Sequence, residues 1–575
     1  MTGLRMDPAS RRDAIEALSE SGAGGDELDI LVIGGGVTGA GIAMDAASRG
    51  LTTGIVEAQD LASGTSSRSS KLLHGGLRYL QMLDFKLVHE ALTERDLLLT
   101  KLVPHLVRPV PFLYPLKTPV LERAYVGAGI MLYDLLAMLG PGRRRLPWHR
   151  HFSRKGLRKR FPSLRRDALA GAIQYWDASV DDARLVTTLM RSAVGHGAHA
   201  ASRVQVTELV QNEAGAVVGA NLIDLESGRH FTARAKKVIS ATGVWTEETQ
   251  QLAGAGGLRV LASKGIHIVV PRDRLSGKSG LILQTDKSVL FVIPWSRYWL
   301  IGTTDTPWNE DRRLPVPTST DIDYVIAEAN KVLEQPLSRA DVVGTWAGLR
   351  PLLQPGTKVG TASAKVSREH TVASPTPGLV SIAGGKLTTY RVMAEDAVDF
   401  ALGSAAKTTP SITATTPLVG AVGSRVAIET ARALARKHGL APSVAKHLVH
   451  RYGAEINVIA AICDEVPGAA VPVAGAPAYL RAELIFAARY EGALHLDDFM
   501  ERRTRMSYEF AEHAGIAAEE VAEIVASELG WSPEQTAQEL AAYRAKAAAY
   551  DLATHEATDA AAVARYAEAV ALAEP

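Results

Sequence analysis

The sequence predicts an α/β chain that ends in an all-helical region, and three observations carry that prediction. Near the start, an apolar strand opens onto a glycine-rich turn and a helix, over Ile30 to Ser48. Apolar runs of strand length recur between residues 167 and 400. After about residue 410 alanine dominates and a 3.6-residue period takes over. The 575 residues, 47% hydrophobic, suffice for two or three buried cores. A formal net charge of +1 excludes a global polyanion-binding signature. The single cysteine, Cys463, excludes a disulfide framework and a cysteine-based metal cluster within one chain.

Taken in order, residues 1–27 are polar, with Arg11, Arg12 and Asp13 ahead of a glycine-rich break at Gly22 to Gly25. They lack an apolar core of signal-peptide length and read as a flexible or weakly helical extension. Nothing reaches the roughly eighteen uninterrupted apolar residues of a spanning helix. The nearest stretch, Ala124 to Leu139, is broken by Asp134.

Ile30 to Ile33 reads as a buried parallel strand. Gly34, Gly36 and Gly39 then give GxGxxG at the strand-to-helix turn. Gly34 permits the tight turn, Gly36 a close backbone approach to a pyrophosphate, and Gly39 close packing of helix on strand. The helix runs through Ser48 and aims its positive end at the phosphates. Gly50 stops it, and Thr53 to Val56 makes the next strand. Glu57 ends that strand 21 positions after Gly36, where a carboxylate accepts from a ribose 2′-hydroxyl. A lone GxGxxG is weak. In this order, with both strands and the terminal acid, it specifies a dinucleotide site.

Residues 61–118 hold a serine-rich loop and a helix, Asp84 to Leu102, ended before Pro104. Residues 204–240 read as a β-meander with turns at Glu213 to Gly215 and at Ser227–Gly228. Residues 260–372 read as strand-rich around a helix at Asp321 to Leu333, and 378–400 as a strand followed by a helix from near Lys386. Three parts follow: an N-terminal extension (1–27), a dinucleotide-binding part with interleaved substrate segments (28–409, the substrate part at about 260–372), and a helical domain (410–575). Within the last, Val466 to Pro477 is a linker, and Ser532, Pro533 and Gln535 mark a helix start.

Several long segments together resemble one family: GGGVTGAGIAMDAASRGL, EAQDLASGTSSRSSKLLHGGLRYL, SKGIHIVVPR, GTTDTPW, WAGLRPLL, SREH and GGKLTTYR. The chain is similar over about residues 28–540 to the FAD-dependent, quinone-linked glycerol-3-phosphate dehydrogenases. The wider group is the flavin oxidases built like D-amino-acid and glycine oxidases. The resemblance implies a Rossmann-like FAD-binding domain of that type, a β-rich substrate domain and a C-terminal all-α domain.

For the cofactor, the resemblance implies non-covalent FAD held by Gly34, Gly36, Val37, Thr38, Gly39, Glu57, Ala58, Thr65, Ser66, Ser67, Ser69, Lys71, Leu72, Val206, Gly243, Trp245, Gly385, Lys386, Leu387 and Thr388. The short hydroxyls of Thr65, Ser66, Ser67 and Ser69, with Lys71 beside them, suit a loop over a pyrophosphate and a flavin edge. Val206 falls where related proteins clamp the adenine, and SATGVW, with Gly243 and Trp245, resembles a second dinucleotide-side signature. Gly384 and Gly385 allow close approach, and Lys386 with the following helix start favours the reduced ring's negative charge.

For the substrate, the resemblance implies that Arg350 and Arg368 grip a phosphate through planar forks, with Arg78 and Lys386 as further contacts. The implied reaction takes sn-glycerol 3-phosphate to dihydroxyacetone phosphate, with ubiquinone or menaquinone as acceptor. It needs a base for the hydroxyl proton. His267 is favoured over His74, and His370 is weaker. Each of these residues, taken alone, is more often structural.

Val120 to Leu139 is apolar, and Arg143 to Arg166 carries 11 Lys/Arg and no acid, with Trp148 and Phe152 interleaved. Residues 119–166 therefore read as a segment touching an anionic membrane surface, on a cytoplasmic protein held peripherally on the inner face. A solvated basic loop is the bland alternative, and no nucleic-acid module is present. Two competing functions stand beside the dehydrogenase: an oxygen-using glycerol-3-phosphate, hydroxy-acid or amino-acid oxidase, and a non-catalytic membrane-binding FAD module. Arg502, Arg503 and Arg505 read as helix-surface or interdomain residues. Capping of the site and homodimer formation both stay open for the helical domain. No metal is expected.

Overall fold

The computed structural model describes residues 4–139, 146–165, 169–285, 289–354, 369–510 and 514–573. The chain begins with α1 (Pro8–Gly22), β1 (Leu28–Ile33), α2 (Val37–Ser48), β2 (Thr53–Glu57), β3 (Leu72–Leu73), α3 (Leu77–Gln81) and α4 (Phe85–Leu97). It continues through β4 (Arg108–Leu116), α5 (Leu121–Met138), β5 (Arg150–Ser153), α6 (Arg154–Arg160), β6 (Gly171–Ser179), α7 (Asp182–Gly195), β7 (His199–Ser202), β8 (Val204–Gln211), β9 (Val217–Asp224), β10 (His230–Ser240) and α8 (Thr246–Gln251). Then come β11 (Val260–Pro271), β12 (Gly280–Gln284), β13 (Val289–Trp295), β14 (Tyr298–Gly302), β15 (Thr306–Pro307), α9 (Ser319–Asn330), β16 (Gly344–Leu353), β17 (His370–Thr376), β18 (Leu379–Gly384) and α10 (Tyr390–Leu402).

Two sheets carry the site. In the first, β18, β10, β1, β2 and β7 lie parallel in that order, with β17 antiparallel at one edge and the β8–β9 hairpin continuing from β10. The helices α2, α7 and α10 bury apolar faces against it, as a parallel sheet requires. The β-meander is β8 to β10. The second sheet is ordered β15-β11-β14-β13-β12-β4-β6-β3, mostly antiparallel, with β16 along β11 and β5 along β6. The α5 helix covers one face of it and α6 and α9 the other.

Beyond residue 410 the described residues are helical: α11 (Ser424–Lys437), α12 (Pro442–Tyr452), α13 (Ile456–Glu465), α14 (Arg481–Tyr490), α15 (Met506–Glu509), α16 (Ala514–Leu529), α17 (Pro533–Ala553) and α18 (Asp559–Ala573). One short hairpin, Pro472–Val473 with Ala476–Leu480, begins inside the segment read as a linker and runs past its end. Ser532 caps α17 by accepting from Gln535 N at 3.2 Å.

One local expectation is decided and two change. Of the two readings of the N-terminal extension, the structure shows the helical one: α1 is capped by Asp7, which accepts from Ser10 N at 2.9 Å, and it buries Ile15 and Leu18. Its apolar face is too sparse to announce a helix, and the sheet supplies the missing surface. The helix read to Leu102 is α-helical to Leu97 and closes with a π-helical turn, Leu98–Leu102. The helix read from near Lys386 begins as a 3-10 turn, Leu387–Thr389, and becomes α-helical only at Tyr390.

Candidate active site

At the nucleotide end, the glycines behave as their spacing requires. Gly34 has φ +109°, and a Cβ on Gly39 would stand 1.8 Å from the Gly34 carbonyl oxygen, so α2 rests on β1 only with glycine there. Gly36 is the N-cap of α2, and no side chain caps it. Val37 N donates to Ser66 Oγ at 2.9 Å, which brings the serine loop over the same turn. The first-turn amides of α2, Thr38 and Gly39 among them, lack intrahelical acceptors and face where an anion binds. Glu57 accepts from Gly35 N at 2.6 Å and from Gln59 N at 2.8 Å. Burial nevertheless pushes its carboxyl up. It braces the glycine turn, with Ala58 next along.

Gly243 to Trp245 forms a 3-10 turn, and Trp245 shares a small crevice with Thr65. Val206 is half-buried on β8, packed against the apolar cluster that includes Val56 and Val204. Arg203, just ahead of β8, donates its N–H to Gln59 O at 3.0 Å, so the start of β8 is what meets the end of β2.

A cavity of about 210 Å³ lies between the serine loop, the β11–β16 pair and the Gly384–Thr388 turn. It collects Ser66, Leu72, His74, His267, Arg350, Gly385, Lys386, Leu387 and Thr388 from four separate segments. Its described lining holds three cations, Arg68, Arg350 and Lys386, and no carboxylate. That imbalance suits anionic ligands.

His267 sits on β11 with 2% of its surface exposed. Its Nε2 and Ser70 Oγ share a hydrogen bond at 2.8 Å, and its ring stacks on Trp346 at 5.4 Å. Nδ1 has no hydrogen-bond partner among the described residues. Burial first, then the charges of Arg350 and Lys71, drive its pKa down to about 3. The ring is therefore neutral and able to accept a proton.

Arg350 projects from β16 across Gly265, where a Cβ would stand 2.2 Å from Nη2. Nη2 donates to Thr303 Oγ1 at 2.8 Å and to Thr304 O at 3.1 Å, and Nη1 lies 3.4 Å from Asp305 Oδ1. These bonds fix the fork at the cavity. Gly384 and Gly385 have φ of +81° and +78°, a pair of left-handed residues that swings Lys386 toward the Tyr79 ring, 4.1 Å from its centre. His74 N donates to Thr388 Oγ1 at 3.1 Å and ties the two walls together.

Other expected residues are placed differently. The Lys71 ammonium turns away from the cavity to Asp182 Oδ1, 2.6 Å, and Ser69 Oγ donates to Asp182 Oδ2 at 2.7 Å. The Thr65 hydroxyl is spent on Leu349 O at 2.5 Å, and Ser67 is buried. Hence Ser66 and Ser70 are the hydroxyls of this loop with partners at the cavity. His370 bonds Asp396 Oδ2 at 2.7 Å on β17, apart from the cavity lining. Arg368 lies outside the described residues, as does the side chain of Arg78, whose backbone belongs to α3.

Sequence reasoning missed Ser70, Trp346, Thr303, Asp305 and Asp182. Four of these lie in or beside segments already singled out: TSSRSSK, WAGLRPLL and GTTDTPW. Asp182 gave no signal of its own, because its role exists only once α7 meets the serine loop.

The family model described as "FAD dependent oxidoreductase" matches residues 29–391, and "C-terminal domain of alpha-glycerophosphate oxidase" matches 411–536. The chain is 49% identical over 526 residues to "Glycerol-3-phosphate dehydrogenase" of Mycobacterium leprae, covering 91% of this chain and 88% of that one. It is 36% identical to "Glycerol-3-phosphate dehydrogenase, mitochondrial" of Mus musculus, over 93% of this chain and 75% of that one. Among solved structures, the glycerol-3-phosphate dehydrogenase of Bacillus halodurans complexed with FAD superposes with a TM-score of 0.74. It is 30% identical and covers 94% of this chain and 97% of its own.

Proposed function

The chain belongs to the FAD-dependent glycerol-3-phosphate dehydrogenase family, and from that premise we propose that it oxidises sn-glycerol 3-phosphate to dihydroxyacetone phosphate, with a membrane quinone as the final acceptor. Its cofactor is FAD. The residues fit that group: the Thr38 and Gly39 amides of the first turn of α2, which has no N-cap side chain, Glu57 at the end of β2, and two consecutive left-handed glycines ahead of Lys386. FAD, when bound, supplies the two-electron acceptor for hydride leaving carbon 2 of the substrate.

The observation that carries the reading is a neutral, buried His267 beside Arg350 in a cavity whose described lining holds cations and no acid. Arg350, already oriented by Thr303 and Asp305, takes the substrate phosphate, with Arg368 proposed as its companion. Arg350 is one cause of the low pKa of His267, so a bound phosphate dianion offsets it. The base then strengthens as substrate enters. His267 takes the hydroxyl proton at a ring nitrogen, Ser70 holds the ring, and Trp346 backs it against water. Lys386, with Arg78 proposed beside it, stabilises negative charge developing at the cavity wall.

The test is anaerobic titration of the purified protein with glycerol 3-phosphate, then quinone, while following the flavin spectrum. Bleaching and quinone-dependent recovery are expected. A colourless protein, or a yellow one that substrate does not bleach, overturns the reading. Stoichiometric peroxide in air would favour the oxidase.

Membrane attachment is the second element of the proposal, on the cytoplasmic face. Among the described residues no helix is long and apolar enough to cross a membrane. The α5 helix buries Val126, Ile130 and Tyr133 on the second sheet and turns Leu121, Tyr125, Met131, Leu135 and Met138 outward. Leu121 and Tyr125 are 84% and 68% exposed. The basic run follows, although residues 140–145 and 166 lie outside the described ones. An apolar face beside a cationic segment supports interfacial docking. Flotation with anionic liposomes tests it: no binding at low salt removes the idea.

A further inference from the structure

The ArgArgThrArg turn of the helical region, Arg502 to Arg505, is buried rather than displayed: Arg502, Arg503 and Arg505 expose 5%, 1% and 0% of their surface. Charges this deep must be paired. Arg503 reaches both oxygens of Asp60, at 2.6 and 2.7 Å, just past the end of β2. Arg505 reaches the serine loop through Nη1, which donates to Ser67 O at 3.4 Å, and turns its other nitrogen to the start of α7. Its Nη2 donates to Asp181 Oδ1 and to Asp182 Oδ1, each at 2.6 Å.

Asp182 is the junction. The same Oδ1 accepts from Lys71 Nζ at 2.6 Å, while Oδ2 accepts from Ser69 N at 3.0 Å and Ser69 Oγ at 2.7 Å. Lys71 N then donates to Ser69 Oγ at 2.9 Å, and Lys71 holds φ +56°, a conformation that a side-chain-bearing residue keeps only when its surroundings enforce it. The Lys71 ammonium lies 4.9 Å from the centre of the Trp346 ring, the ring that backs His267. Between Ser69 and Lys71 sits Ser70, whose hydroxyl bonds His267. An unbroken set of contacts, buried at Arg505, Asp182 and Lys71 and half-buried at Ser69 and Ser70, thus runs from the helical region to the proton acceptor.

We propose that Arg505, acting through Asp182, is a positioning residue of the active site: it fixes the Ser69–Lys71 bend and so sets Ser70 and Trp346 against His267. The helical region on this account completes the flavin pocket rather than merely covering it. Arg505 is not part of the cavity lining, and the claim rests on the cavity being the site of flavin reduction.

The experiment is stopped-flow flavin reduction by glycerol 3-phosphate on purified holoenzyme, comparing the parent with Arg505→Ala and Asp182→Asn. The reduction rate is expected to fall at least tenfold, with KM changed less than threefold and the flavin absorption band displaced. Added guanidinium at millimolar, non-denaturing concentration restores Arg505→Ala several-fold, and sodium chloride at equal concentration does not. Arg191→Met is the control. Arg191 pairs with Glu455, another buried ion pair between α7 and the helical region, but touches nothing in the serine loop. That variant loses thermal stability and keeps the reduction rate.

Should Arg505→Ala not fold, Asp182→Asn alone decides, since it keeps side-chain shape while removing the charge shared by Lys71 and Arg505. A rate within twofold of the parent in folded, yellow variants overturns the proposal. So does an equal loss in Arg191→Met. If the parent itself is not bleached, the functional reading has failed instead, and the two failures are distinct.

Discussion

Two clusters of ionisable groups flank the Ser66–Lys71 loop, and they are built in opposite ways. On the helical side, Asp60, Asp181, Asp182 and Asp498 answer Arg502, Arg503, Arg505, Arg203 and Lys71 nearly charge for charge. Across the loop, the cavity lining carries Arg68, Arg350 and Lys386 with no acid, and a histidine whose Nδ1 has no hydrogen-bond partner among the described residues. A paired cluster is already complete and confers geometry. An unbalanced one is completed by a ligand, which is what a functional site does.

The sharpest way to break that contrast is at His267. His267→Gln keeps the size and a polar contact to Ser70 but removes the proton acceptor. Flavin reduction should slow by roughly 10²–10⁴-fold with FAD still bound, measured anaerobically by stopped flow. An unchanged rate would transfer the base to another group and leave the cavity's imbalance unexplained.

On the paired side, Arg503→Met leaves Asp60 with only part of its countercharge. The loss should be about 3 kcal/mol of stability, read as a lower denaturant midpoint. KM for glycerol 3-phosphate should stay put. A KM effect with unaltered stability would reverse the assignment of the two clusters.

Arg350→Met tests the unbalanced side at the substrate phosphate. KM should rise roughly 10–100-fold, about 1.4–3 kcal/mol, while stability changes less than in Arg503→Met, because the Arg350 side chain is partly exposed and its carboxylate, Asp305 Oδ1, stands 3.4 Å off, whereas Arg503 is fully buried on Asp60. A fall in stability as large as that of Arg503→Met would show Arg350 to be structural.

The same division explains what was legible in the sequence. GxGxxG, the terminal Glu57 and the strand order are local signals, and β1, α2 and β2 form within a residue or two of where spacing places them. His267, Arg350 and Lys386 converge in one cavity because each sits in a long recognisable segment. The partners of these residues were not legible. Lys71 reads as a pocket residue from its neighbours, yet Asp182, 111 positions on, takes its ammonium. Thr303 and Asp305 orient Arg350 across a strand pair. The ion pairs of Arg502 to Arg505 span more than 300 positions each to Asp60, Asp181 and Asp182, and periodicity carries no information over such distances. The α1 helix was legible only as one of two alternatives for a related reason, since its apolar surface is completed by the sheet.

The smallest expected effect separates the two kinds of histidine by the sign of their pH dependence. His495, in the helical region, bonds Glu539 through Nδ1 at 2.7 Å and Glu226 through Nε2 at 2.9 Å. Burial alone lowers its pKa, but the two carboxylates outweigh it and push the value up to about 10. Its contribution is therefore fully present below about pH 6.5, the unfolded value, and is lost as pH rises through about 10. His267 runs the other way. The unfolded chain takes up a proton below about 6.5 that the folded ring refuses until about 3, so stability falls as pH drops through that window. With His495 and Glu226 a quarter to a third exposed, screening leaves on the order of 1 kcal/mol at the paired site. Thermal melts between pH 7 and 10 should show the parent losing stability that His495→Gln never had, so the two curves converge at high pH. Melts between pH 6.5 and 4 should be flattened instead by His267→Gln. Curves that converge in the same direction for both variants would mean that the two clusters are electrostatically alike, and the distinction between a completed seam and a site awaiting its ligand would fail.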